Sequence, residues 1–169
     1  MTSASINAKI MILGAVGVGK TSLVKRFVHD RFDADYKTTI GVDIQTCDVS
    51  LADGRAVRLM LWDTDGDFGQ RIFETAYVKG ASGAIVVADA SRQATIEKMK
   101  ALIEGFEKHL PGRSVRAVVN KSDLAETLPD GASFGLAAGE VLFTSAKTGD
   151  GVGNVFSSIA ADVARRIAT

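Results

Sequence analysis

The chain has 169 residues, 46% of them hydrophobic, which is the size of one domain, 1–169, able to bury a core of its own. Its 20 basic and 20 acidic residues cancel, so it lacks the basic excess of a nucleic-acid or membrane-surface binder. With one cysteine, Cys47, read as a buried small hydrophobe, no apolar run of membrane-spanning length, no signal-like 1–8 segment and no glycine or cysteine placed for lipidation, a cytoplasmic monomer without a lipid anchor is expected.

Residues 9–13 read as a continuous apolar strand, followed by Gly-Ala-Val-Gly-Val-Gly-Lys-Thr at 14–21, which fits G-x-x-x-x-G-K-[ST]. A strand before and a helix after give this stretch the form of a phosphate-binding loop. Successive backbone N–H groups wrap a polyphosphate, and a helix N-terminus faces the same anion. Gly14, Gly17 and Gly19 allow the close backbone approach, Lys20 sets a charge on the outer phosphates, and the Thr21 hydroxyl is a Mg²⁺ ligand. The helix is predicted over 20–29, with Leu23, Val24, Phe27 and Val28 on one face; His29, like His109 later, falls near a helix end, a surface position. Residues 30–40, with Phe32, Tyr36, Thr38 and Thr39, read as a surface loop. Two strands, 41–51 and 55–62, flank the turn Ala52-Asp53-Gly54, and the second delivers Asp63 at its carboxyl end.

Residues 64–74 carry Gly66 and Gly69 among polar residues, which predicts a second mobile loop running into a short helix at 73–79. A buried strand follows at 83–88. A helix over 95–110, with Ile96, Met99, Leu102, Ile103 and Phe106 at helical spacing, stops at Pro111-Gly112. Strands at 115–119 and 141–143 end at Asn120 and Thr144, and a helix over 151–167 closes the chain. Between those strands Pro129, Gly131, Gly135 and Gly139 leave room for one helical turn, at 136–138. The alternation predicts an α/β fold: a mostly parallel, six-stranded, doubly wound sheet with one antiparallel edge strand and helices on both faces.

In such a sheet the strand ends before Gly14, Asp63, Asn120 and Ser145 share the rim where a nucleotide sits. Asn120-Lys121-Ser122-Asp123 offers a carboxylate able to accept two parallel hydrogen bonds, from N1–H and the exocyclic amine of guanine, a pair adenine does not present. Thr144-Ser145-Ala146-Lys147 offers the Ala146 N–H to the 6-oxo group.

These motifs, with Thr39-Ile40-Gly41-Val42-Asp43 and Trp62-Asp63-Thr64-x-Gly66 between them in order, resemble those of the Ras superfamily of small GTPases, most closely the Rab branch, over essentially the whole chain. The resemblance implies a P-loop NTPase domain that binds GTP or GDP with Mg²⁺, with an exchange factor, a GTPase-activating protein and effectors as partners. It implies that Ala15, Val16, Gly17, Val18, Gly19, Lys20, Thr21 and Ser22 hold the phosphates, and that Asn120, Lys121, Asp123, Ser145, Ala146 and Lys147 hold the base. Lys121 and Lys147 would lie over the base. Thr39 resembles the threonine that binds Mg²⁺ and meets the γ-phosphate, with Thr38 its neighbour and not the ligand. Thr21, Thr39 and Asp63 would form the metal set, Asp63 through water, and the Gly66 N–H would reach the γ-phosphate. Phe32 is similar to the aromatic on the guanine edge, or packs in the core; Trp62 supports an effector surface, or is a core tryptophan.

The pattern breaks at the water. Where the family has a glutamine after the second-switch glycine, this chain has Asp67, which is shorter, anionic and without a donor for the γ-phosphate. Asp65 adds a second carboxylate, and Gln70 is the other candidate to place the water. Val16 puts a branched side chain where relatives carry a small residue, resembling substitutions that obstruct an arginine finger. Lys20, Thr39, Gly66 and Asp67 or Gln70 are thus the candidate catalytic set, with slow hydrolysis expected. The alternative is a GTP-binding module with negligible hydrolysis that acts through partners.

Overall fold

In β1 (Ile6–Gly14) alternate side chains enter opposite faces: Ile10 and Ile12 point into one core and Met11 and Leu13 into the other, all at most 1% exposed. A strand apolar on both sides belongs in the middle of a covered sheet. The computed structural model, which describes residues 5–33, 39–128 and 141–167, places it there. The six strands run in the order β2-β3-β1-β4-β5-β6, with β2 (Val42–Ser50), β3 (Ala56–Thr64), β4 (Gly83–Asp89), β5 (Ser114–Asn120) and β6 (Val141–Phe143). Among the described residues only the β2–β3 pair is antiparallel, so the expected antiparallel edge is β2.

Helices cover both faces. Leu23 and Val24 of α1 (Lys20–His29) and Val155, Phe156 and Ile159 of α3 (Val152–Ile167) share one core with Ile10, Leu59 and Val118. Phe27 stacks on Phe156 at 4.1 Å between ring centroids. On the other face Ile96, Met99, Ile103 and Phe106 of α2 (Gln93–His109) pack on Met11, Val86 and Val119. Among the described residues no helix is long and apolar enough to cross a membrane.

Several expectations need correction. β1 begins at Ile6, not residue 9, because Ile6 and Ala8 pair in register with Val57 and Leu59 while Asn7 faces outward. β2 begins after Gly41, whose φ of 74° lies outside the strand region. α2 begins at Gln93, two residues early, and the Thr95 hydroxyl donates to the Arg92 carbonyl at 2.7 Å and accepts from the Asp89 N–H at 2.9 Å. The stretch read as a mobile loop and a helix at 73–79 is instead two 3₁₀ segments, Gly66–Glu74 and Ala76–Val78, parted by extended Thr75. Ile72, Phe73 and Val78 anchor them in the α2 core. Cys47 is half-buried, not buried, since β2 is the sheet's edge; burial, with Asp48 adding to it, pushes its thiol up to about 11. Tyr36, Thr38 and the expected turn at 136–138 lie outside the described residues.

Candidate functional site

The loop leaving β1 reaches α1 through Gly19, which sits in the left-handed region (φ 100°) as the helix N-cap and supplies no side-chain cap. The first turn of α1 carries no acidic residue. Its N–H groups are therefore left to an anion. A Cβ on Gly19 would meet Asn120 Nδ2 at 2.2 Å, so only glycine lets the base-side loop close on the phosphate loop. Ala15 and Val18 have buried side chains and offer the site only their backbone.

Lys20 is buried at 6% exposure, and its Nζ donates to the carbonyls of Gly14 at 2.9 Å and Ala15 at 2.8 Å. An ammonium has three donors, so one N–H remains for a phosphate oxygen. Burial lowers the Lys20 pKa to about 8, opposed by the charges of Asp63, Asp65 and Asp67.

Beside it three oxygens converge. Thr21 Oγ1 donates to Asp63 Oδ2 at 2.5 Å and lies 2.6 Å from Thr39 Oγ1, which is itself 3.4 Å from that carboxylate oxygen. The other oxygen of Asp63, Oδ1, is buried without a partner among the described residues. Burial raises the Asp63 carboxyl, with the Asp43 charge adding to it and the Thr21 hydroxyl and Lys20 opposing. Two hydroxyls and an unsatisfied carboxylate are a hard, all-oxygen set of the kind Mg²⁺ takes, so the residues present fit that ion.

The Gly66–Glu74 segment touches the phosphate loop through bare backbone: a Cβ on Gly66 would lie 2.4 Å from the Val16 nitrogen. Asp65 caps that segment by accepting from the Asp67 N–H at 2.9 Å. Asp67 lines a cavity of about 450 Å³ with Val16, Gly66, Gln70 and Arg92. Gln70 leans on α2, where a Cβ on Gly105 would come within 2.7 Å of its Oε1. Of the two water-placing candidates, Asp67 follows the glycine packed on the phosphate loop and Gln70 rests against the helix.

On the other side a cavity of about 490 Å³ is walled by Gly17, Ser22, Phe32, Lys121, Asp123 and Lys147 among others. Phe32 is 38% exposed on that wall and so is not a core residue. Asn120 stitches three segments: Nδ2 donates to the Val18 carbonyl at 3.0 Å, and Oδ1 accepts from the Thr144 hydroxyl at 2.9 Å and the Ala146 N–H at 3.2 Å. Asp123 accepts from the Ser145 hydroxyl at 2.8 Å. Lys121, at φ 62°, places Nζ 2.8 Å from the Gly17 carbonyl and 3.0 Å from Asp89. Trp62 is half-buried at the β3 end, with the Lys9 ammonium 3.7 Å from its ring centroid and its own Nε1 unpartnered among the described residues. His29 and His109 are exposed.

Residues outside the motifs also shape the site. Arg26 of α1 donates from Nε to the Ala146 carbonyl at 2.7 Å and from Nη2 to that of Lys147 at 2.5 Å, fixing the base-side loop. Asp89 lies under Lys121, and Arg92 donates to the Val16 carbonyl at 3.1 Å. Local sequence gives them no signal, because their partners are up to 120 residues away. The only hint is an acidic residue at the end of a fully buried strand, Asp89.

Comparison with known proteins gives a consistent set. The model of the Ras family matches residues 9–165. "Ras-related protein RABE1d" of Arabidopsis thaliana is 36% identical over 166 residues, 94% of this chain and 76% of that protein. "GTP-binding protein ypt5" of Schizosaccharomyces pombe is 36% identical over 163 residues, 92% of this chain and 77% of that protein. "Ras-related protein SEC4" of Saccharomyces cerevisiae is 36% identical over 167 residues, 94% and 76% of the two chains.

Proposed function

Because the chain belongs to the Ras family, as a Rab-like member of that superfamily of small GTPases, we propose that it is a guanine-nucleotide switch that binds GTP and GDP with Mg²⁺ and hydrolyses GTP to GDP and phosphate slowly. The observation that carries this reading is the meeting, on one sheet rim, of the Gly14–Thr21 cradle, the Thr21–Thr39–Asp63 oxygens and the Asp123 carboxylate. Residues 1–169 act as one cytoplasmic domain whose partners are exchange, activating and effector proteins.

In this reading Lys20 and the N–H groups of residues 15–22 hold the phosphates, and Thr21, Thr39 and Asp63 hold the metal, Asp63 through water. Mg²⁺, when bound, neutralises charge on the β- and γ-phosphates. Asn120, Lys121, Asp123 and the 145–147 backbone hold guanine. The Ala146 N–H donates to Asn120 Oδ1 at 3.2 Å, and Ala146 lines the base cavity, so a guanine 6-oxo group would compete with Asn120 for that donor. The Thr39 and Gly66 segments both line the phosphate cleft, so a γ-phosphate would draw them together.

Slowness follows from Asp67. Its carboxylate can accept a proton from water but cannot donate to a γ-oxygen, and its charge opposes that oxygen. Single-turnover hydrolysis of bound GTP, with and without Mg²⁺, tests the reading. The parent is expected to turn over slowly, and Asp67→Gln at least roughly tenfold faster. An unchanged rate would shift the block to Val16 or the water to Gln70. No measurable turnover in either protein, with GTP retained, would favour a binding module that acts through its partners.

A further inference from the structure

The carbonyls of Val16, Gly17 and Val18 are each held from outside the phosphate loop. Arg92 Nη1 donates to Val16 at 3.1 Å, Lys121 Nζ to Gly17 at 2.8 Å, and Asn120 Nδ2 to Val18 at 3.0 Å. A trans peptide points its C=O and N–H in opposite directions. Each bond that pulls a carbonyl outward therefore turns the next residue's N–H, those of Gly17, Val18 and Gly19, to the other side of the loop. Gly17 and Gly19 line the narrow cleft there with Lys20, Thr21 and Gly66. Asn120 and Lys121 belong to the guanine motif; Arg92 belongs to no motif and comes from the turn between β4 and α2.

We propose that Arg92 is a positioning residue for the nucleotide phosphates: by holding the Val16 carbonyl it fixes the Val16–Gly17 peptide with the Gly17 N–H aimed into the phosphate cleft. This rests on the reading of that cleft as a GTP and GDP site.

Four points support it. The guanidinium sits close against the loop, since a Cβ on Gly17, a residue at φ 80°, would come within 3.2 Å of Nη1. Asp89, 1% exposed, ties two of the three donors together, its Oδ2 being 3.0 Å from Lys121 Nζ and 4.0 Å from Arg92 Nη1. Ser91 fixes that carboxylate, donating to Oδ1 from its N–H at 2.9 Å and its hydroxyl at 2.6 Å. A cation on a peptide carbonyl also polarises the unit, which strengthens the N–H at its far end as a donor to an anion. Finally, Val16 leaves its own peptide as the one of the three not held by the guanine motif, and the turn residue supplies the missing donor.

The test compares the parent chain with Arg92→Ala, Arg92→Gln and Arg92→Lys. Dissociation of GDP and of a non-hydrolysable GTP analogue is measured in the presence of Mg²⁺, together with the ³¹P spectrum of the bound nucleotide. The Arg92 side chain is half exposed, so truncating it removes little buried surface, and urea denaturation of each variant checks that the fold is kept. Loss of a charged hydrogen bond predicts about tenfold faster release from Arg92→Ala, with moved ³¹P resonances. Arg92→Lys should recover most of the release rate, and Arg92→Gln, which keeps a donor without the charge, should fall between. Release within twofold of the parent overturns the proposal. Faster release with unmoved ³¹P resonances overturns it too, because a loosened loop would explain that without an aimed N–H. A parent chain that binds no guanine nucleotide would instead overturn the functional reading on which the proposal rests.

Discussion

Asp123 is held by the Ser145 hydroxyl at 2.8 Å, and Ser145 in turn accepts from the Thr148 N–H at 3.1 Å, so the carboxylate is aimed before any base arrives. Asparagine keeps an acceptor for Ser145 and replaces the second acceptor by a donor. Asp123→Asn should therefore leave the fold intact and weaken GTP by about 2 kcal/mol, roughly thirtyfold, while favouring xanthine nucleotides, whose 2-oxo group accepts where guanine donates. Competition of GTP against XTP measures it, and retained GTP preference would sink the assignment of the base site. The residues assigned to this proposed chemistry were legible in the sequence because each motif is short and contiguous. Arg26, Asp89 and Arg92 were not, because what defines them is a carbonyl or a lysine brought near by the sheet order.

At the level of elements, strands β1, β4 and β5 were readable because a strand covered on both faces must be apolar throughout. Their ends were less so, since Ile6 in β1 and Ser114 in β5 are set by pairing partners and not by their own hydropathy. The 66–78 stretch defeated periodicity for a different reason: extended Thr75 breaks the phase between the anchors Ile72 and Phe73 and the anchor Val78, and Gly69, at φ 50°, interrupts the segment ahead of them, so neither a 3.6 nor a 2 residue period survives. The junction of α3 with β5 makes a separate prediction. Asp162, 4% exposed in α3, accepts from the Ser114 hydroxyl at 2.6 Å and is paired with Arg116, Arg165 and Arg166. Burial pushes its carboxyl up, but the hydrogen bonds from Ser114 and Arg166 and the nearby arginine charges outweigh that and hold it below 3.8. A depressed folded-state value means that the ionised form stabilises the fold above the unfolded value and that this is lost as pH falls through the folded one. Asp162→Asn should thus cost about 2 kcal/mol at pH 7. The gap to the parent should close as urea denaturation is repeated at pH values below 3.8. A gap constant with pH would contradict the ionic role.

For the molecule as a whole, strand order β2-β3-β1-β4-β5-β6 brings the carboxyl ends of the five parallel strands, β1, β3, β4, β5 and β6, to one rim, where the candidate site lies. The second cleft-lining segment is moored at its far end: Lys9 Nζ of β1 donates to the Lys79 carbonyl at 2.8 Å, just past Ala76–Val78, while resting on the Trp62 ring. Trp62, the chain's one tryptophan, precedes Asp63 and lies 6.4 Å from Tyr77 between ring centroids. An indole whose face carries a cation and whose ring is tilted 53° to a nearby tyrosine is a fluorophore placed beside that mooring. Its emission should therefore differ between the GDP-loaded and the GTP-analogue-loaded protein, and Lys9→Met, which removes the cation, should shift the parent spectrum and reduce the difference. Identical spectra in the two loaded states would mean that the 66–79 stretch does not move with the nucleotide. A difference would make Trp62 an optical gauge built into the chain, readable in the cuvette without a label.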